Sequence, residues 1–216
     1  KVTGVQTCAL PISVDADTGA YRWHYQTTPR DRWDYTATQQ IMLADLPLGE
    51  NGASRRVVMQ APKNGFFYVL DAASGDLISA TPFTNQNWTT GEFDENGRPV
   101  LVEEAVDLAL YAVVPGPTGA HNWHPMAFNP DTGLVYIPVN EIPFFYDKTR
   151  NVQDSKSFWN IGYDAAAGWP VEYPAGTLDA VSGLDGGTLL AWDPVKAEPR
   201  WAVPFPDRKS TRLNSS

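Results

Sequence analysis

Asp15-Ala16-Asp17-Thr18-Gly19 recurs in this chain as Asp71-Ala72-Ala73-Ser74-Gly75, as Asn129-Pro130-Asp131-Thr132-Gly133 and, without its glycine, as Asp193-Pro194-Val195-Lys196-Ala197. Each copy opens on an Asp or Asn whose side-chain oxygen can accept from the backbone just ahead, and three close on a Gly free to take positive φ. That is hairpin-turn chemistry. The flanks carry strand formers: Phe66-Phe67-Tyr68-Val69-Leu70 and Leu189-Leu190-Ala191-Trp192 run into turns, and Leu134-Val135-Tyr136-Ile137-Pro138-Val139 leaves one. The turns lie 56, 58 and 64 residues apart, room for a four-stranded sheet plus one long excursion. Trp23 and Trp201 each stand eight residues after a turn aspartate, as ring anchors between neighbouring units. Radially repeated four-stranded sheets make a β-propeller, so the expected class is all-β, a partial propeller, with a long-repeat solenoid as the alternative.

Composition agrees. Eight Trp, nine Tyr, nine Phe, 18 Pro and 17 Gly in 216 residues suit short strands and turns better than helices. Only residues 102–111 could make a short helix. No apolar run approaches the length of a membrane span, and no signal peptide is legible. The net charge of −9 argues against nucleic acid or an anionic membrane as partner.

Both ends of the chain have another origin. Ala9-Leu10-Pro11-Ile12 can be encoded by GCTCTTCCGATC and Asp207-Arg208-Lys209-Ser210 by its reverse complement, a relation that extends over residues 3–12 and 207–216. Residues 1–12 and 207–216 therefore read as translated sequencing-adapter DNA, and residues 13–206 as the protein domain. Cys8, the only cysteine, falls in a tail and says nothing about redox compartment. Without the tails 12 basic side chains face 24 acidic ones, a charge of −12.

Chemistry is expected on the long excursions, at residues 26–38, 84–119 and 141–187, because loops on a rigid scaffold carry function. In the first, Asp34 lies between Trp33 and Tyr35, a setting that can perturb a carboxylate; the alternative is an acid that caps a turn. Lys63 precedes Asn64-Gly65 and could be a surface turn lysine. Glu103, Glu104 and Glu141 read as solvated. His121 and His124, separated by Trp123 and followed by Pro125, have poor spacing for a metal pair. No phosphate-cradling glycine loop and no nucleophile elbow is present.

Five segments carry a resemblance. Trp23-His24-Tyr25-Gln26-Thr27-Thr28-Pro29, Asp31-Arg32-Trp33-Asp34-Tyr35, Ala61-Pro62-Lys63-Asn64-Gly65-Phe66-Phe67-Tyr68-Val69-Leu70-Asp71, His121-Asn122-Trp123-His124-Pro125-Met126-Ala127 and Ala191-Trp192-Asp193-Pro194 resemble, in this order, the pyrroloquinoline-quinone (PQQ)-dependent alcohol dehydrogenases. The similarity runs with few breaks over residues 13–206. It implies an eight-bladed propeller with tryptophan docking motifs, of which this chain supplies about three blades.

The same resemblance implies a site. Asp34 matches the general base and a metal ligand, Lys63 a cation that donates to the quinone oxygens, and Asn122 an amide that bonds the cofactor, with Trp123 beside it. The implied cofactors are PQQ and Ca²⁺, with haem c in some members in a domain beyond residue 206. The implied reaction is oxidation of a primary alcohol to an aldehyde, with electrons passed to a cytochrome c in the periplasm. Relatives that use a lanthanide carry a second Asp two residues after the base, where this chain has Thr36; the neutral residue points to calcium. The family's other calcium ligands lie upstream of residue 13, so the isolated chain is expected to be inactive. The rival expectation is a propeller that serves as a binding scaffold without cofactor.

Overall fold

The computed structural model describes residues 10–107, 109–147 and 186–205. The tails thus fall almost wholly outside the described residues, as does most of the third excursion. Of the first tail, the Pro11 carbonyl accepts the Tyr25 N–H at 3.0 Å and Ile12 pairs with His24. These are backbone bonds that do not depend on side-chain identity.

Strands β1 (Ile12–Val14) and β2 (Tyr21–His24) form an antiparallel pair. A four-stranded antiparallel sheet follows in sequence order: β3 (Met42–Leu46), β4 (Arg55–Gln60), β5 (Phe66–Asp71) and β6 (Leu77–Pro82). The second excursion holds the hairpin β7 (Thr89–Phe93) and β8 (Pro99–Leu101), the short helix α1 (Glu103–Asp107) and β9 (Ala109–Val113). A second four-stranded sheet contains β10 (Ala127–Asn129), β11 (Leu134–Asn140), β13 (Gly187–Asp193) and β14 (Glu198–Phe205). Between β11 and β13 the chain makes β12 (Phe144–Asp147), which pairs with β9. The helix expected over residues 102–111 is therefore half strand, because the ladder to β12 takes up the residues after α1.

All four turns form, by the anticipated chemistry. Asp15 Oδ1 accepts the N–H of Asp17 and Thr18, Asp71 Oδ1 those of Ala73 and Ser74, Asn129 Oδ1 that of Asp131, and Asp193 Oδ1 those of Val195 and Lys196. Gly19, Gly75 and Gly133 take φ of +71°, +78° and +69°, and Ala197 takes +56° at the same place.

Their positions in the sheets are not all equivalent. In three hairpins the residue two before the turn aspartate pairs with the residue eight after it: Ser13 with Trp23, Val69 with Ser79, and Ala191 with Trp201. Each carries a register shift at the next residue. The turn at Asn129 instead joins the first two strands of its sheet, pairs Ala127 with Tyr136, and shows no shift. Turn chemistry is shared by any tight hairpin, so it did not reveal which hairpin of a sheet it closed. The described residues thus contain two complete four-stranded sheets and three strand pairs, β1–β2, β7–β8 and β9–β12.

The sheet β3–β6 is covered on both faces, which explains the unbroken apolar run of β5. Phe66, Tyr68 and Leu70 face a cluster with Trp23, Tyr25, Trp33, Tyr35 and Trp88. Phe67 and Val69 face the second sheet through Met126, Val135, Ile137, Leu190 and Trp192. Trp23 anchors the strand pair: its Nε1–H donates to the Ala72 carbonyl at 3.1 Å, in the turn of the following sheet. Its ring lies so close to Gly75 that a Cβ there would stand 2.6 Å from two ring carbons.

In each sheet the turns that follow β3, β5, β10 and β13 lie at one end and the other connections at the opposite end. The connections before β3, between β4 and β5, before β10 and between β11 and β13 bring Asp34, Lys63 and Asn122 to that second end.

Candidate active site

The loop before β3 is pinned by its aromatics. Trp33 is fully buried and its Nε1–H donates to the Ala105 carbonyl at 3.1 Å, while Tyr35 OH donates to the Pro115 carbonyl. Burial pushes the Tyr35 phenol well above its ordinary pKa, reinforced by Tyr146 and Asp31, so it remains a neutral donor. Between these two anchors Asp34 adopts φ of +63°. A left-handed conformation costs a non-glycine residue about 1–2 kcal/mol. Two contacts offset this. The Thr36 N–H donates to the Asp34 carbonyl at 2.9 Å, and the half-buried Asp31 accepts from both neighbours, Trp33 N–H at 2.9 Å and Tyr35 N–H at 3.2 Å, on one oxygen, Oδ1.

Lys63 reaches Asp34 twice. Its Nζ donates to the Asp34 carbonyl at 2.9 Å and to Oδ2 at 3.0 Å. The lysine side chain is 8% exposed and the aspartate 64%. Lys63 is therefore not a surface turn lysine. The turn that carries it is buried: Asn64 Nδ2 faces the Thr27 carbonyl, Thr28 Oγ1 and Tyr68 OH at 3.1, 3.1 and 2.9 Å, and Trp88 Nε1–H donates to the Asn64 carbonyl at 2.9 Å. The aliphatic stem of Lys63 lies against Gly119, where a Cβ would come within 2.3 Å of Cγ. The next residue, Ala120, donates its N–H to the Lys63 carbonyl at 2.9 Å.

That backbone clasp sets the start of the Asn122 loop beside Lys63. Asn122 Nδ2 donates to the Thr118 carbonyl at 3.0 Å, and its Oδ1 accepts from Gln39 Nε2 at 3.4 Å. Trp123 projects outward and is 87% exposed. His121 is a strut. Its two ring nitrogens lie 2.5 Å and 2.6 Å from the carbonyls of Ala61 and His124, and burial lowers its pKa. Burial and the two facing carbonyls leave neither ring nitrogen open to a metal.

Four residues that shape this end drew no functional role from the sequence: Asp31, Gln39, Gly119 and Glu141. Asp31 stood in the same segment as Asp34 without a role of its own. Glu141, read from sequence as solvated, is a clamp: its Oε1 accepts the Thr84 hydroxyl at 2.6 Å, the Asn85 N–H at 3.2 Å and Asn85 Nδ2 at 3.0 Å. It ties together the roots of the second and third excursions.

The donors present suit an anionic, oxygen-rich ligand. Lys63 spends two of its three N–H bonds on Asp34 and Asn122 spends one of its two amide hydrogens on Thr118, so each keeps a donor that fits the oxygens of such a ligand. Asp34 Oδ1 makes no hydrogen bond among the described residues and is a hard oxygen donor. Calcium takes six to eight such oxygens, and the described residues contain no cluster of three or more acids, histidines or cysteines. This chain fits the metal as the source of one carboxylate. An open groove of about 630 Å³ lies at the hairpin end, lined by Leu46, Pro47, Phe128, Val195 and Lys196 among others, away from all four predicted site residues.

This architecture is that of a partial β-propeller: residues 10–86 match the PQQ family described as "Glucose/ethanol/alcohol dehydrogenase, beta-propeller domain". Over those residues the chain carries that propeller domain, and along most of its length it is similar to PQQ-dependent alcohol dehydrogenases. It is 46% identical over 203 residues to the quinohemoprotein alcohol dehydrogenase ADH-IIG of Pseudomonas putida, covering 90% of this chain and 27% of that protein. It is 41% identical over 196 residues to the dehydrogenase subunit of the alcohol dehydrogenase (quinone) of Acetobacter aceti, covering 89% and 26%. Among solved structures it superposes on quinohemoprotein alcohol dehydrogenase ADHIIG from P. putida HK5 with a TM-score of 0.76 at 42% identity, covering 91% of this chain and 29% of that one. A europium-containing methanol dehydrogenase gives 0.68 at 28% identity, covering 91% and 33%. The chain thus spans about a quarter of the length of the curated relatives it matches.

Proposed function

We propose that this chain is the part of a periplasmic alcohol dehydrogenase that supplies the base and two of the quinone-binding side chains. The observation that carries the reading is the contact of a buried lysine, Lys63, with an exposed carboxylate, Asp34, at 3.0 Å. A scaffold built only from hairpins and docking tryptophans has no use for a lysine held in this way.

When bound, PQQ supplies the carbonyl carbon that accepts hydride from the alcohol carbon, and calcium supplies the Lewis acid. The protein's part is positional and electrostatic. Asp34 uses its free Oδ1 to take the hydroxyl proton of a primary alcohol and, being exposed, returns that proton to solvent. Lys63 keeps the carboxylate aimed through Oδ2 and directs its remaining N–H at the quinone oxygens. Asn122 offers an amide hydrogen, and exposed Trp123 stands at the approach to the site. Thr36, two residues after Asp34, adds no second carboxylate, which favours calcium over a lanthanide. Electrons leave for a cytochrome c, with haem carried by a domain outside this chain where the protein has one.

Asp34→Ala in the intact protein, supplied with quinone and calcium, is expected to lose about 10²–10⁴-fold of alcohol oxidation, the range for removal of a positioned base. Retention of oxidation by that variant would refute the assignment. The isolated chain, which offers the metal a single carboxylate, is expected to show no quinone-dependent oxidation.

A further inference from the structure

We propose that Asp31 is the positioning residue for Asp34: its carboxylate brackets the backbone on either side of Asp34 and thereby aims the Asp34 side chain at Lys63. This rests on the reading of Asp34 as the base.

The geometry is specific to the bracket. One oxygen, Asp31 Oδ1, receives the N–H groups of Trp33 and Tyr35, the two residues that flank Asp34. Those residues cannot relax outward, because each ring is fully buried and donates to a carbonyl of the second excursion. Asp34 between them is held at φ of +63°. In that conformation its main-chain and side-chain oxygens both point at the Lys63 ammonium. Without an acceptor at Asp31, two N–H groups beneath Asp34 lose their partner, and the loop has to turn to find others. Asp34 then leaves Lys63. A side chain that accepts only through its oxygen is all this role demands, so an asparagine oxygen serves as well as a carboxylate. Asp31 touches no reacting atom in this scheme and acts wholly through Asp34.

The test compares Asp31→Asn and Asp31→Ala in the intact enzyme. Three readouts apply: kcat and KM for a primary alcohol, the melting temperature, and the rate at which acetic anhydride modifies Lys63 relative to Lys196 in cofactor-free protein. Asp31→Ala is expected to lower kcat by about 10–100-fold, as displacement of a catalytic group by about 1 Å does, while KM changes less than about twofold. It is also expected to speed Lys63 modification several-fold. Asp31→Asn should restore kcat and Lys63 protection to within about threefold of wild type, a rescue based on the shared acceptor oxygen.

Unchanged kcat and protection in Asp31→Ala would overturn the proposal. So would an Asp31→Asn variant that melts like wild type yet loses kcat about tenfold or more and exposes Lys63 to modification; this outcome alone decides the matter if the alanine variant does not fold. Lys63 protection is read without quinone or alcohol. If Asp34→Ala leaves oxidation intact, the base assignment fails, while the protection data still judge the bracket.

Discussion

A Cβ on Gly119 would lie 2.3 Å from Lys63 Cγ, 2.7 Å from its Cβ and 2.9 Å from its Cα, and Gly119 itself takes φ of +81°. Gly119→Ala is therefore expected to push the lysine stem off its seat and to destabilise the protein by about 1–3 kcal/mol, the usual cost of overpacking. Thermal melting gives the cost, and loss of Lys63 protection locates it. Sequence alone left Asp34 open to a turn-capping reading and Lys63 to a surface-turn one, and their place in a common site came from the resemblance of the segments that hold them. It could not disclose Gly119, Gln39 or Glu141. Each acts across a fold contact between residues 56 to 83 positions apart, and nothing local distinguishes Gly119 from a glycine in an open turn.

The turns offer a direct comparison at the level of the element. Gly19 and Gly75 occupy equivalent hairpins with φ of +71° and +78°, yet a Cβ at Gly19 meets nothing within 4 Å whereas one at Gly75 meets the Trp23 ring at 2.6 Å. Both alanine variants lose the glycine's conformational freedom, roughly 1 kcal/mol. Gly75→Ala should cost a further 1–3 kcal/mol or so, from overpacking against the docked ring. Chemical denaturation of the two variants measures the difference, and pairing Gly75→Ala with Trp23→Leu should remove most of it. The turns also respond to pH. Asp71 is held at about 2, below its ordinary 3.8, chiefly by the Ser74 N–H and then by Arg55. Asp15 is held at about 2 by Arg22 and Thr18. A pKa lower in the folded than in the unfolded state means stability that is complete above the unfolded value and disappears as pH falls from about 4 to 2. Melting temperature should fall through that window, and Asp71→Asn should flatten its share of the slope. These four turns were legible because their chemistry is local. The rank of the Asn129 hairpin was not, because rank is a property of strand pairing.

Across the whole molecule the two four-stranded sheets meet through Phe67 and Trp192, whose ring centroids lie 5.8 Å apart, and through Ile137, Val135 and Val69, all fully buried. Ile137→Ala is expected to cost about 2–5 kcal/mol, as cavities in packed cores do, and equilibrium unfolding monitored by tryptophan fluorescence measures it. Strand class and the doubly buried character of β5 could be read from residue patterns. The number of blades rests on resemblance, since closure of a ring depends on sheets that these residues do not encode.

Asn140 and Gly187 face each other as the last rung of the β11–β13 ladder, and 46 residues of chain pass between them. A segment whose entrance and exit are already joined can lengthen, shorten or change sequence without altering a single rung below it. The sequence of that segment is free to drift while the framework below it stands still.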